Sequence, residues 1–324
     1  MKTRKMECVR CKMPIVYEET QKIAICPRCG ERNKTIHVRK KMSSRTKRLL
    51  KKIAIIALIV LLAAFALIGA IVPWLSDMIG SFCEERGYYA PAKFFLRMAG
   101  DEGRERANVL VLDHPKVGDT CYLGTYEQDG DLENGVEPLK WQVLAVEEDR
   151  ALLVADRVID SVQMDPDSVQ LTWETSTLRS WLNDEFYNTN FTDEDKVRIL
   201  FSEIENPDNV RYETKGGNNT HDYVFLLSHD ELKTYFKGDK YFTYPTQYAI
   251  DEDVMVGYET SYAWWWLRSP GFYQDMVAVC ATRDADVSLV EFGRDVYMLE
   301  VGTYVTNRRM GLRPAVWIDT ADAE

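Results

Sequence analysis

The residues best placed to do chemistry are four cysteines in two pairs, Cys8-Val-Arg-Cys11 and Cys26-Pro-Arg-Cys29, with 14 residues between the pairs. Two CxxC pairs make one tetrahedral site, because each forms a tight knuckle whose thiolates converge and zinc takes four such ligands. The intervening stretch, with Ile15, Val16, Tyr17 and then Lys22 to Ile25, reads as a short hairpin joining the knuckles. A segment this short cannot bury enough core to fold alone, so the metal supplies the stability. The rival is redox or disulfide chemistry, but a redox motif needs only one CxxC in a larger α/β unit, and a reducing compartment disfavours disulfides. All four ligands are Cys and none is left to water, so zinc is expected as a structural cofactor. A zinc ribbon over residues 1–35 is expected to dock a cytoplasmic protein partner.

No catalytic residue is expected. Of four histidines, His37 and His114 lie outside the body of the larger domain, while His221 and His229 stand beside Asp222 and Asp230 in positions typical of solvated groups. GxSxG, HExxH, GxxxxGK and GxGxxG patterns are absent. Acids fall at every second position in Glu127, Asp129, Asp131 and Glu133, a spacing that can chelate calcium, yet the twelve-residue loop pattern is missing and solvated charge is the simpler reading. Cys83, Cys121 and Cys280 are odd in number, so at least one is unpaired within the chain.

The aromatic residues offer binding instead. Trp264, Trp265 and Trp266 are consecutive, so on a strand the first and third share a face and Trp265 points the other way. One reading makes this a central strand, with Trp265, Trp266, Arg268 and Arg313 as structural residues and the two arginines in buried or partly buried ion pairs. The other makes Trp264, with Tyr262 and Tyr273 near it in sequence, a platform for a glycan or peptide ligand.

The elements that would carry these residues follow from charge and hydropathy. Residues 1–52 hold 17 Lys or Arg against 4 Glu, whereas the remainder holds 23 against 47. Between the two lies Ile53 to Val72, 20 residues without a charge, long enough to cross a bilayer as a helix. Basic residues before the run and acids after it predict a single-pass cell-membrane protein, N-terminus cytoplasmic, C-terminal domain extracellular. The basic juxtamembrane segment 36–52 is expected to face anionic headgroups from residue 39 on, with nucleic acid disfavoured as a partner. Residues 76–108 read as two helices in a hairpin stalk resembling one degenerate tetratricopeptide-type unit.

From about Val117 the pattern is that of an α+β domain: strands at Val117 to Tyr126, Lys140 to Val146 and Ala151 to Ala155, then helices, then further strands. Leu178, Trp181, Leu182 and Phe186 mark one face of a helix over 176–187. Thr192 and Ser228 begin two more helices, Ser228 with capping-box spacing to Glu231. Strand-like runs cover 223–227, 262–269, 276–281, 287–292 and 311–318. Strands at both ends predict termini meeting in one sheet, and the polar stretch 206–222 reads as a mobile surface loop.

The set Trp141-Gln-Val-Leu144, Trp173-Glu-Thr-Ser176, Leu178-Arg179, Trp181-Leu-Asn183, Phe225-Leu-Leu-Ser228, Trp265-Trp-Leu-Arg-Ser-Pro-Gly271 and Gly311-Leu-Arg-Pro-Ala315 resembles an uncharacterised bacterial family, domain of unknown function 6273, over residues 116–320. The resemblance implies a membrane-anchored setting and carries no activity. The closing GLRPA is also similar to the end of C-type-lectin-like and formylglycine-generating-enzyme-like folds, although the reactive Cys pair of such an oxidase is lacking. Together these readings predict a membrane-anchored extracellular recognition or sensory protein, non-catalytic, with a structural cytoplasmic zinc site. The alternative is an extracellular enzyme acting on cell-wall or glycan material.

Overall fold

The computed structural model describes residues 3–35, 52–53, 55–56, 69, 71–167, 170–236, 241–280 and 301–321. The chain divides into two compact units, Met1–Ala70 and Ile71–Glu324.

The first unit is two antiparallel hairpins, β1 (Thr3–Glu7) with β2 (Pro14–Glu18) and β3 (Ile23–Ile25) with β4 (Arg32–Lys34). The expected pairing of residues 15–17 with 22–25 is therefore replaced by two separate ladders. Each CxxC is itself the turn of a hairpin, since Cys8 N donates to Met13 O and Cys26 N to Glu31 O, both at 2.9 Å. Alternation in β2 turns Ile15 and Tyr17 inward with Cys8, Ala24 and Cys26, and leaves Val16 outside.

Among the described residues no helix is long and apolar enough to cross a membrane. That overturns the expected transmembrane helix at 53–72, and with it the single-pass membrane localisation and the cytoplasmic and extracellular sides assigned from it. Residues 54, 57–68 and 70 of the run, the basic stretch 36–51 and the strand expected at 287–292 lie outside the described residues. The helix α1, described from residue 71 to 84, lies almost wholly beyond that run. Its Asp77 and Glu84 both pair with Arg106, at 2.9 Å for Asp77.

That arginine lies on α3 (Asp101–Asp113), which with α2 (Tyr89–Leu96) completes a three-helix group. The second expected stalk helix is divided, because Gly100 takes φ +89 before α3. The group covers the open edge of a sheet. Asn108 mimics a strand there, its Oδ1 accepting from Tyr122 N at 2.6 Å and its Nδ2 donating to Tyr122 O at 2.9 Å. Arg97 donates to Thr120 O at 2.9 Å, and the buried Lys93 donates to Asp119 Oδ2 at 2.7 Å.

The larger unit is α+β. One sheet has the order β15-β7-β6-β5, from β5 (Thr120–Tyr126), β6 (Glu137–Val146), β7 (Arg150–Ala155) and β15 (Ala315–Asp319), all antiparallel. The second has the order β13-β12-β11-β14-β8, from β8 (Asp160–Val162), β11 (Trp265–Pro270), β12 (Met276–Cys280), β13 (Thr303–Tyr304) and β14 (Met310–Leu312), with β11 and β14 parallel. A short ladder, β9 (Ser202–Ile204) with β10 (Thr220–Asp222), stands apart. One antiparallel pair of segments runs through both sheets, since β14 pairs with β8 and β15 with β7. The C-terminal strand thus closes beside β7.

Arg313 and Pro314 mark the place where that pair changes sheets. Arg313 is almost wholly buried, donates to Ala155 O at 2.9 Å and to Tyr241 O at 2.8 Å, and lies 4.9 Å over the Trp265 ring. Its expected ion pair is not found among the described residues; main-chain carbonyls and aromatic faces take the guanidinium instead. Burial holds its pKa down, to about 10. Gly311 is obligatory nearby, because a Cβ would come within 2.4 Å of Val158 Cγ1 and 2.7 Å of Trp264 O.

Helices fill the middle of the unit: α4 (Thr177–Trp181), a π turn over Leu182–Phe186, α5 (Tyr187–Asn190), α6 (Asp193–Arg198), α7 (His229–Tyr235) and α8 (Gln247–Asp251). The stretch 206–222 is tied down rather than loose. Asn206 donates to Asn218 O at 2.9 Å, Asn209 to Pro270 O at 3.0 Å and Thr214 to Gly271 O at 2.7 Å.

Candidate metal centre and ligand surfaces

In the first unit the four cysteines meet. Their sulfurs all lie within 4.8 Å of one another, with Cys8 to Cys29 and Cys11 to Cys26 both at 3.6 Å. A tetrahedron of metal–sulfur bonds of about 2.3 Å has edges of about 3.8 Å, so the set fits a single ion. Each knuckle is closed by a left-handed residue, Lys12 at φ +59 and Gly30 at φ +71, with Lys12 N donating to Cys8 O and Gly30 N to Cys26 O. This curl turns main-chain N–H groups onto the first sulfur of each pair.

Those donors set the acidity of the thiols. The Cys11 N–H, followed by the Arg10 N–H and the neighbouring sulfurs, outweighs burial and brings Cys8 down to about 6. Burial acts most strongly on Cys26, yet the Cys29 and Arg28 N–H groups with the adjacent sulfurs leave its pKa lowered. Cys29 receives the Glu31 N–H, but burial and three sulfur neighbours push it up to about 12. Four thiolates this close need a cation to coexist.

Sequence reasoning missed Asn33, the inward residue of β4. Its Oδ1 accepts from Val9 N at 2.8 Å, and its Nδ2 donates to Glu31 O at 2.9 Å and approaches Cys8 Sγ at 3.8 Å, so it staples one knuckle to the other. The only signal was a lone amide in a strand of three residues.

In the larger unit the residues expected to bind a ligand do not come together. Trp264 is buried, with Trp264 N donating to Met255 O and Gly311 N donating to Trp264 O. Tyr262 lies at the surface with Phe242, stacked at 5.6 Å, and Tyr244, at 4.7 Å. Tyr273 belongs to a different surface group, with Phe272 at 4.4 Å, itself 4.7 Å from Tyr212.

The other tryptophans and Arg268 are interior. β11 is flanked by β12 and β14, and Trp265 and Trp266 are fully buried, Trp266 Nε1 donating to Val162 O at 2.8 Å. Arg268 donates to Leu226 O at 2.7 Å and Glu205 O at 2.9 Å, and forms an ion pair with Glu231 through both carboxylate oxygens. Trp173 Nε1, Arg179 Nε and Thr220 Oγ1 all donate to the fully buried Asp222 carboxylate, at 2.9, 2.7 and 2.7 Å. The motif residues that were most legible in the sequence therefore hold loops to strands.

The remaining candidates are scattered. Glu127, Asp129 and Glu137 approach one another, but each accepts a main-chain N–H of its own turn, from Gly130, Asp131 and Gln128 respectively. The Asp131 N–H holds the Asp129 carboxyl below its usual range. Cys83, Cys121 and Cys280 are free, and burial pushes Cys121 up to about 12 and Cys280 higher.

One family model, described as "Domain of unknown function (DUF6273)", matches residues 148–320, more than half of the chain. The match begins at the turn before β7, although β6 pairs with β7 along most of its length. No curated protein and no solved structure matches the chain, so the lectin-like and oxidase-like analogies gain no support from either.

Proposed function

We propose that this chain, which belongs to the family described as "Domain of unknown function (DUF6273)" through residues 148–320, is a non-catalytic recognition or sensory protein with a structural zinc ion in its four-cysteine centre. The observation that carries the recognition reading is the surface group of Phe242, Tyr244 and Tyr262. Aromatic rings kept partly in solvent, the two tyrosines with hydroxyl tips, suit the apolar face and polar rim of a sugar or a peptide side chain. The hydrogen bond to Tyr244 raises the Tyr262 hydroxyl pKa.

Zinc is supported by the donor set and by the spacing of the sulfurs, since one tetrahedral shell of four thiolates is the structural zinc arrangement. The ribbon leaves Val16, Ile23 and Ile25 exposed on its strands, an apolar face that suits a docked protein partner.

The recognition reading is tested by titrating the intact chain with a panel of glycans and peptides beside Tyr262→Ala. A ligand bound by the wild type at least tenfold more tightly than by the variant, with the melting temperature unchanged, is the expected result. Conversion of the bound ligand into product would replace recognition with catalysis.

A further inference from the structure

A second surface of the larger unit has the makings of a site. A cleft of about 560 Å³ lies between α4, β8 and the end of α8, within the usual range for small-ligand pockets. Trp181 and Leu178 form its apolar wall, and Gln163, Glu252 and Arg308 bring polar groups to it.

The wall is rigid. Trp181 packs on Phe186 at 5.3 Å, and Phe186 on Tyr126 at 5.5 Å, so the half-buried indole is backed by buried rings. Trp181 also ends α4 where the π turn over Leu182–Phe186 begins, a distortion that is frequent at functional sites. The polar side is held too. Arg308 Nε donates to Gln163 Oε1 at 3.1 Å, which occupies the amide oxygen and leaves the amide N–H groups as the donors available to a ligand. Ser161 Oγ donates to Arg308 O at 2.9 Å and fixes that segment against β8. Glu252, exposed at the C-terminal end of α8, supplies acceptors only.

We propose that this cleft binds a neutral saccharide, with one sugar ring on the Trp181 face and its hydroxyls bonded to Glu252, Gln163 and Arg308. The inference goes beyond the surface of Phe242, Tyr244 and Tyr262, none of which lines this cleft, and adds a separate site with its own ligand class. One carboxylate and one guanidinium balance in charge, which favours neither an anion nor a cation. An indole that lines the same cleft as an amide and a guanidinium bonded to each other and an exposed carboxylate matches a ring that is apolar on its face and hydroxylated on its rim.

The test titrates the intact chain with neutral hexose and N-acetylhexosamine tetrasaccharides, read by tryptophan fluorescence and calorimetry. The expected result is binding of at least one tetrasaccharide that weakens at least tenfold in Trp181→Ala and in Glu252→Gln, and is unchanged in Tyr262→Ala. Glu252 is exposed, so Glu252→Gln remains informative if Trp181→Ala fails to fold. Failure of every tetrasaccharide to bind at millimolar concentration, or binding indifferent to Glu252→Gln, overturns the proposal. Binding that depends on Tyr262 alone overturns it while leaving the recognition reading in place.

Discussion

Glu231 meets the Arg268 guanidinium with both carboxylate oxygens, and the same Oε2 accepts the Ser228 N–H at 2.7 Å to close the cap of α7. One acid thus ties a helix N-terminus to the central strand β11 across the domain. Arg268 is nearly inaccessible, so its charge depends on this partner.

Glu231→Gln should cost about 3 kcal/mol, the low end for breaking a buried pair because the Glu231 side chain is a quarter exposed. Urea unfolding measures it. The neighbouring Asp230→Asn, at an exposed position, should stay within about 0.5 kcal/mol of wild type, and equal losses in the two variants would remove the special role of the Arg268 pair.

Gly311→Ala should destabilise by about 1–3 kcal/mol, because the new methyl meets a Val158 methyl and the Trp264 carbonyl inside the place where the strands change sheets. Gly135, with open space around it but φ +97, is the comparison for a purely conformational cost. A melting temperature for Gly311→Ala at or above that of Gly135→Ala would contradict the crowding.

Trp266→Ala should cost about 3–5 kcal/mol through the cavity and the lost bond to Val162 O. A shift of melting temperature under about a degree would show that β11 is not packed on both faces.

The intact chain purified under reducing conditions should hold one zinc ion, and chelation should erase the dispersed amide signals of residues 3–35. Elemental analysis gives the first result and heteronuclear NMR the second. Cys26→Ser should lower zinc affinity by removing one thiolate, and a variant as tightly loaded as wild type would break the four-ligand assignment.

The Asp160 carboxyl, which accepts from Tyr126 OH at 2.5 Å, has its pKa raised, first by burial and further by the Glu252 charge. The folded state therefore binds a proton more tightly than the unfolded one, and stability falls as pH climbs from the unfolded value of about 3.9 through the raised folded value. Asp160→Asn should flatten that decline in a series of melts across the acid range. A decline of the same slope in the variant would assign it to other carboxylates.

Local physics was readable without the fold. Ser228 and Glu231 form the capping box that their three-residue spacing predicts, and Thr192 caps the helix it was expected to begin, because a cap depends on one turn of chain. The two CxxC pairs were legible for the same reason, each knuckle being a contact of four residues. What the hairpins pair with was not, since Tyr17 could equally face Ala24 or Arg4, and only the folded knuckles chose Arg4. Apolar length suggested a membrane span at 53–72, whereas among the described residues no helix is long and apolar enough to cross one; past that run, only tertiary packing pairs Asp77 and Glu84 with Arg106. The aromatic residues show the limit most plainly. Proximity in sequence grouped Trp264, Tyr262 and Tyr273, whereas the turns around β11 bury the first and send the other two to separate surfaces. Trp181, Gln163, Glu252 and Arg308 come from four distant segments, and only tertiary packing makes them one cleft.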